Sequence, residues 1–153
     1  MSIEINEAYL HIDDIKVLFT EYTASLDIDL SYQNYAEEFS DLPGKYAQPS
    51  GRLYIAYCEG TAAGCIGLRK IGTEICEIKR LYVRNQFRGL RIGKQLAEQV
   101  IFDAKTIGYR SIVLDTLSSM ESARGLYKDL GFVEIAPYYE SPIEDTRFLR
   151  LSL

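Results

Sequence analysis

The stretch from Cys76 to Lys94, CEIKRLYVRNQFRGLRIGK, constrains what this chain can fold into more than any other part of it. It reads as an extended strand, a short glycine-containing turn and the first turn of a long amphipathic helix. Six bases, Lys79, Arg80, Arg84, Arg88, Arg91 and Lys94, fall between Glu77 and Glu98 with no acid among them. Gly89 and Gly93 leave the backbone open where the helix begins. The first four N–H groups of a helix lack internal partners, and the macrodipole adds partial positive charge there. A turn flanked by arginines and closed by a helix N-terminus is therefore an anion cradle, suited to phosphate or pyrophosphate.

Two phosphate motifs do not fit it. A P-loop needs four residues between its glycines and a hydroxyl after its lysine; here three separate Gly89 from Gly93, and Gln95 follows Lys94. The dinucleotide fingerprint G-x-G-x-x-G is absent. What remains, Gln86-x-x-Gly89-x-Arg91 followed by Ile92-Gly93-Lys94, resembles the acetyl-CoA signature of the GNAT superfamily of N-acetyltransferases, Q/R-x-x-G-x-G/A. Arg91 departs from that pattern, standing where the family normally has Gly or Ala. Its backbone N–H can still donate, while its side chain either points outward or adds a phosphate contact.

The 153 residues are expected to form one domain, 1–153, with a core that needs no disulfide or metal staple. A hydrophobic fraction of 47% and a charged fraction of 25% suit a soluble globular protein. No apolar run approaches the roughly 20 residues that span a bilayer, and the acidic N-terminus does not read as a signal peptide. Cys58, Cys65 and Cys76 fall on predicted strands without C-x-x-C spacing, and His11 is the sole histidine. No metal site is therefore expected, and reduced thiols in a cytoplasmic protein account for the cysteines. Residues 1–41 hold ten acids against one base, Lys16, whereas the remainder holds sixteen bases against twelve acids. The later part suits an anion and the earlier part either a cation or plain solvation. A nucleic-acid partner would need a wider basic face.

Along the chain, Ile3 and Ile5 alternate with polar neighbours as in a short strand. His11 to about Leu26 has helical spacing, repeated briefly by Tyr32, Tyr35, Ala36 and Phe39. Leu53–Cys58 and Ala62–Leu68 read as strands joined by a tight hairpin at Glu59-Gly60. The strand Glu74–Val83 leads to the helix Gly89–Ile107, which Gly108 ends, and Ile112-Val113-Leu114 is a buried parallel strand. Ser118-x-x-Glu121 predicts a capping box opening another helix, and strands follow at Phe132–Ile135 and Thr146–Leu151. The resulting order, β-α-α-β-β-β-α-β-α-β-β, is an α/β (α+β) pattern. It implies a mixed central sheet of about six to seven strands flanked by about four helices. That order is similar to the GNAT fold over essentially the whole chain. EIKRLYV resembles the family's fourth strand, and ARGLYKDLGF (Ala123 to Phe132) its C-terminal motif A-x-x-L-Y-x-x-x-G-F.

The resemblance implies acetyl-CoA as donor, its pyrophosphate on backbone N–H groups within Arg88, Gly89, Leu90, Arg91, Ile92, Gly93 and Lys94. The pantetheine arm would lie along Leu81, Tyr82 and Val83 like an added strand, with Ala123 and Met120 beside it. Met120 stands where the family often has Asn, which makes that contact apolar. Tyr127 matches the tyrosine assigned as general acid to the departing thiolate; otherwise it is core packing between helix and sheet. Glu77 matches a strand carboxylate that serves many relatives as base, often through water, with its pKa raised by apolar neighbours. Alternatively it pairs with Lys79 or Arg80, and the Leu81 carbonyl or a water chain does that work. The N–H near Val83 is the expected oxyanion donor.

For the acceptor, a primary amine of a small molecule, amino acid or peptide, two readings stay open. The N-terminal acids would favour a cationic amine, whereas Arg147 and Arg150 would hold a carboxylate. Tyr32, Tyr138 and Tyr139 are candidate contacts; the loop Pro137 to Pro142 is either an aromatic lid or packing over a sheet edge. A homodimer through a C-terminal strand is compatible with such a fold. The rival function is a non-catalytic acyl-CoA-binding module whose N-terminal helices serve a protein partner, and a transferase for a longer acyl group is a third reading.

Overall fold

The computed structural model describes residues 2–26 and 29–153. Its elements run β1 (Ile3–Glu7), α1 (Ile12–Leu26), α2 (Tyr35–Ser40), β2 (Arg52–Cys58), β3 (Thr61–Lys70), β4 (Ile75–Val83), α3 (Ile92–Ile107), β5 (Ser111–Leu117), α4 (Glu121–Asp129), β6 (Val133–Ile135) and β7 (Thr146–Ser152). The strands form one seven-stranded sheet in the order β1-β2-β3-β4-β5-β7-β6. β1 to β4 are an antiparallel meander; β4 and β5 are parallel, joined by α3; β7 returns antiparallel to β5. At the predicted hairpin, Glu59 and Gly60 have φ of 51° and 80°. Positive φ at both positions lets the turn's twist match that of its strands. Among the described residues, no helix is long and apolar enough to cross a membrane.

Each face of the sheet carries its own apolar layer. On one, Leu96, Ala97, Val100 and Ala104 of α3 and Tyr127 of α4 pack on Ile66, Leu68, Cys76, Ile78, Ile112 and Leu114. On the other, Ile15, Leu18 and Phe19 of α1 pack with Tyr46 on Leu53, Ile55 and Cys65. The fully buried Tyr46 ring lies flat on Gly67, where an added Cβ would come within 2.7 Å of it.

β4 has an irregularity that decides the site. Its register to β3 passes from Gly67↔Lys79 to Cys65↔Tyr82, so that one β3 residue opposes two on β4, and Arg80 takes a φ of 61°. The extra residue is a β-bulge, which resets side-chain alternation. Cys76, Ile78, Leu81 and Val83 therefore join the α3 layer, while Lys79, Arg80 and Tyr82 point to the α1/α2 side. Just before the bulge, β4 also parts from β5. The two are paired only over Ile75↔Ser111, Cys76↔Ile112 and Glu77↔Val113, whereas β5 stays paired with β7 through Leu117. A wedge opens between β4 and β5.

Two expectations change. The predicted capping box does not form: Met120 is the N-cap of α4 without a side-chain cap, and the Ser118 hydroxyl bonds Asp145 instead. The β5–α4 loop is drawn toward the loop before β7, which takes that hydroxyl away from the helix. The helix expected from Gly89 starts at Ile92, because Gly89 (φ 87°) and Arg91 (φ 63°) are left-handed.

Candidate active site

One wall of the wedge is the free edge of β4. The Arg84 N–H donates to Ala63 O on β3 at 2.8 Å. Backbone groups alternate sides along a strand, so Tyr82 also spends its groups on β3, while Leu81 and Val83 aim theirs into the wedge. Tyr82 turns its side chain the other way, its hydroxyl 3.1 Å from Glu21 Oε1.

At the end of that edge the chain crosses a one-turn 3₁₀ helix, Asn85–Phe87, and enters α3. The first helical bond is Gln95 N–H to Arg91 O, 3.1 Å. The N–H groups of Ile92, Gly93 and Lys94 therefore have no partner among the described residues. Only half of the six bases stand near them: Arg88, Arg91 and Lys94 are exposed around the turn. Arg84 holds Glu21 with two bonds of 2.8 and 2.7 Å, Arg80 holds Glu38 with two of 2.9 and 3.0 Å, and Lys79 reaches Gln33 at 2.9 Å. Those three cations are engaged on the α1/α2 side, Lys79 and Arg80 at the channel, and leave the cradle to the others. The N-terminal acids Glu21 and Glu38 are spent in the same bonds.

A cleft runs from this cradle along the β4 edge. Of the residues expected to hold the cofactor, Leu81, Tyr82, Val83, Arg88, Gly89, Arg91, Ile92, Gly93, Met120 and Ala123 line it. Leu90 packs on the core beside it, and the Lys94 side chain is exposed on the first turn of α3. Met120 presents its thioether, which accepts the Thr116 hydroxyl at 3.4 Å. A strand edge whose Val83 carbonyl meets, among the described residues, only Arg88 Nε, at 3.5 Å, unpartnered helix-terminal N–H groups and three exposed cations fit an amide-bearing arm ending in a pyrophosphate.

In the wedge lies a narrow channel that shares Leu81, Met120 and Ala123 with that cleft; Tyr127 lines it on the same side, and Tyr32, Gln33, Lys79 and Asp115 line the other. Tyr127 is 5% exposed and packs edge-on against Phe132 at 5.4 Å, and its hydroxyl bonds no described residue. It thus serves the core and faces the channel together. Burial pushes its phenol well above the ordinary range near 10, so that it stays protonated at any physiological pH.

Beyond the channel lies a second cleft, walled by Gln33, Glu37, Glu38, Lys45, Arg69, Glu77, Tyr138 and Tyr139. Tyr32 lines both spaces. Tyr138 and Tyr139 stack edge-on against each other and against the buried Phe148, which seats the loop on the sheet while leaving both rings on the cleft. Glu77 is 1% exposed; Arg69 Nε donates to its Oε1 at 2.7 Å and the Tyr138 hydroxyl to its Oε2 at 2.5 Å. Its ion pair is thus with Arg69 on β3, directly opposite in the register, and not with Lys79 or Arg80. Arg147 is not brought here: strand alternation turns it to the α4 side of β7, where it lies 3.4 Å from Glu134. Asp115 was not singled out in the sequence, and Lys79 was counted only among the six bases and as a possible partner of Glu77; the available signal for Asp115 was a carboxylate interrupting the apolar strand SIVLDTL.

The comparisons agree with this geometry. The model of the acetyltransferase (GNAT) family matches residues 14–132. An N-acetyltransferase of Dictyostelium discoideum is 39% identical over 100% of both chains, and one of Schizosaccharomyces pombe 40% identical over 93% of this chain and 88% of its own. A Streptococcus agalactiae acetyltransferase superposes with a TM-score of 0.82 at 25% identity, covering 99% of this chain and 98% of that one. An acetyltransferase of Bacillus anthracis, solved in complex with acetyl coenzyme A, gives 0.64 at 25% identity over 74% and 69%. The chain belongs to the GNAT acetyltransferase family and is an acyl-CoA-dependent N-acetyltransferase.

Proposed function

We propose that this enzyme transfers the acetyl group of acetyl-CoA directly to a primary amine while both substrates are bound. The observation that carries the proposal is the channel in the β4–β5 wedge, lined by Tyr127, which shares Leu81, Met120 and Ala123 with the cradle-side cleft and Tyr32, Gln33 and Lys79 with the acceptor-side cleft. Donor and acceptor enter from opposite ends and need no covalent relay. The neighbour solved with acetyl coenzyme A supports the assignment of the donor.

In this scheme acetyl-CoA supplies an activated acyl group as a thioester. The N–H groups of Ile92, Gly93 and Lys94 take the pyrophosphate, with Arg88 and Arg91 alongside. Leu81 and Val83 bind the pantetheine amides, and the Val83 N–H faces the oxyanion that develops as nitrogen attacks. Glu77, through water, accepts the proton that the amine must lose. As the C–N bond forms and the C–S bond breaks, Tyr127 donates its proton to the departing thiolate, and the proton leaving nitrogen restores it through water. A thiol titrates near 8.5, so a hydrogen bond from a more basic phenol stabilises the thiolate before full transfer.

Release of CoA from acetyl-CoA against polyamines, amino acids, dipeptides, aminoglycosides and arylamines tests the proposal. Turnover with one class is expected. Tyr127→Phe is expected to lower kcat roughly 100-fold while acetyl-CoA affinity by calorimetry is retained. Unchanged kcat would remove the acid role, and binding without turnover on any amine would remove the transfer.

A further inference from the structure

Lys79 and Asp115 face one another across the wedge without meeting. In the parallel register Glu77 stands opposite Val113, so these are the residues two positions further on, where the strands have parted. Both line the channel together with Tyr127. Lys79 is 7% exposed, and its Nζ donates to Gln33 Oε1 at 2.9 Å. Among the described residues no carboxylate lies within ion-pairing distance of it, and no cation within that distance of Asp115, which accepts the Tyr139 hydroxyl. The neighbouring cations are all engaged: Arg80 and Lys45 hold Glu38, and Arg69 holds Glu77.

Burying an ammonium without a counter-charge is costly, and a ligand that brings the charge removes the cost. Here the unmatched cation is paired with an unmatched anion beside the point of transfer. We infer that the acceptor is a free α-amino acid bound as its zwitterion, with its carboxylate on Lys79 and its ammonium on Asp115. The inference rests on the transfer reading and narrows its acceptor. A polyamine would bring a second positive charge against Lys79. A peptide N-terminus would carry its carboxylate too far from its amine to reach both groups. Lys79 takes the carboxylate-holding role that the sequence suggested for Arg147, which lies on the other side of the sheet. Asp115 is here a positioning residue that presents the nitrogen to the channel, and its Tyr139 hydrogen bond fixes its aim.

Calorimetry of the protein–CoA complex against the standard amino acids tests this, followed by the primary amide and the decarboxylated amine of whichever binds best. The acid is expected to bind at least about 10-fold more tightly than either analogue. Lys79→Met should weaken the acid roughly 100-fold and leave the amide unchanged, whereas Asp115→Asn should weaken both. Lys79→Gln, which keeps a donor for Gln33, is the second variant should Lys79→Met fail to fold. No binding by any amino acid, an amide that binds as well as its acid, or equal losses for acid and amide in the Lys79 variants would overturn the inference. CoA release in the same samples reports separately on transfer. Release with simple amines alone would sink the zwitterion and keep the transferase; binding that follows the expected pattern without release would do the opposite.

Discussion

Glu38 shows how much of the acceptor side depends on single buried charges. Burial pushes its carboxyl up, but the hydrogen bonds and charge of Arg80, helped by Lys45, outweigh that and bring it down to about 2. The folded state therefore holds this group ionised more tightly than the unfolded chain does. The contribution, on the order of 3 kcal/mol, is fully present above the ordinary carboxylate range and is lost as pH falls from about 4.5 toward about 2. Denaturant unfolding across that window should show the loss in the wild type. Glu38→Gln, which leaves Arg80 buried without its counter-charge, should be less stable at neutral pH by about 3 kcal/mol or more and should show a flatter acid slope. An unaltered slope would contradict the pairing. In the sequence Glu38 was one acid among ten in residues 1–41, and its solvated and functional readings looked alike. Only its tertiary contacts with Arg80, Lys45 and Tyr46 separate it from exposed neighbours such as Glu37.

At the scale of elements, the cradle joins a strand, a turn and a helix start, and its conformation shows what Arg91 costs the fold. That residue sits at φ 63° and ψ 24° as the N-cap of α3. Left-handed backbone costs an ordinary residue about 1 kcal/mol, which favours Gly there. Its side chain is exposed and makes no hydrogen bond with the described residues. Arg91→Gly is therefore expected to stabilise the fold by up to about 1 kcal/mol, read as a rise in Tm. Acetyl-CoA affinity should fall by no more than roughly 10-fold, because backbone N–H groups form the cradle and Arg91 adds one charge beside it. A lower Tm would mean that the guanidinium has a partner in the folded enzyme. Helix and strand periods, the Glu59-Gly60 turn and the Gly108 stop were all legible from spacing and turn chemistry. The bulge at Arg80 was not, since no glycine marks it and the irregularity exists only relative to β3. With it went the true sides of Lys79 and Arg80, which the linear sequence counted into the cradle.

For the whole molecule, the governing feature is that a sheet sealed by two apolar layers is pierced at one place, where β4 and β5 part. The cradle end of the opening was readable because its ligands are consecutive: Arg88 to Gly93 form one turn and helix start. The other end, where the acceptor is proposed to enter, was less readable because it is assembled from residues far apart in sequence, Gln33, Glu77, Lys79, Asp115 and Tyr138, whose meeting depends on register and on the loop packed over Phe148. Arg147 shows the same limit, because a single step along β7 moves a side chain to the other side of the sheet. The proposed direct transfer requires donor and acceptor to be bound together before any bond changes. Initial rates with acetyl-CoA varied at several fixed concentrations of the working acceptor test this directly. Intersecting double-reciprocal lines, with no acetylated enzyme detectable by mass spectrometry, are the result expected of direct transfer. Parallel lines together with a stable acetyl-enzyme would contradict it.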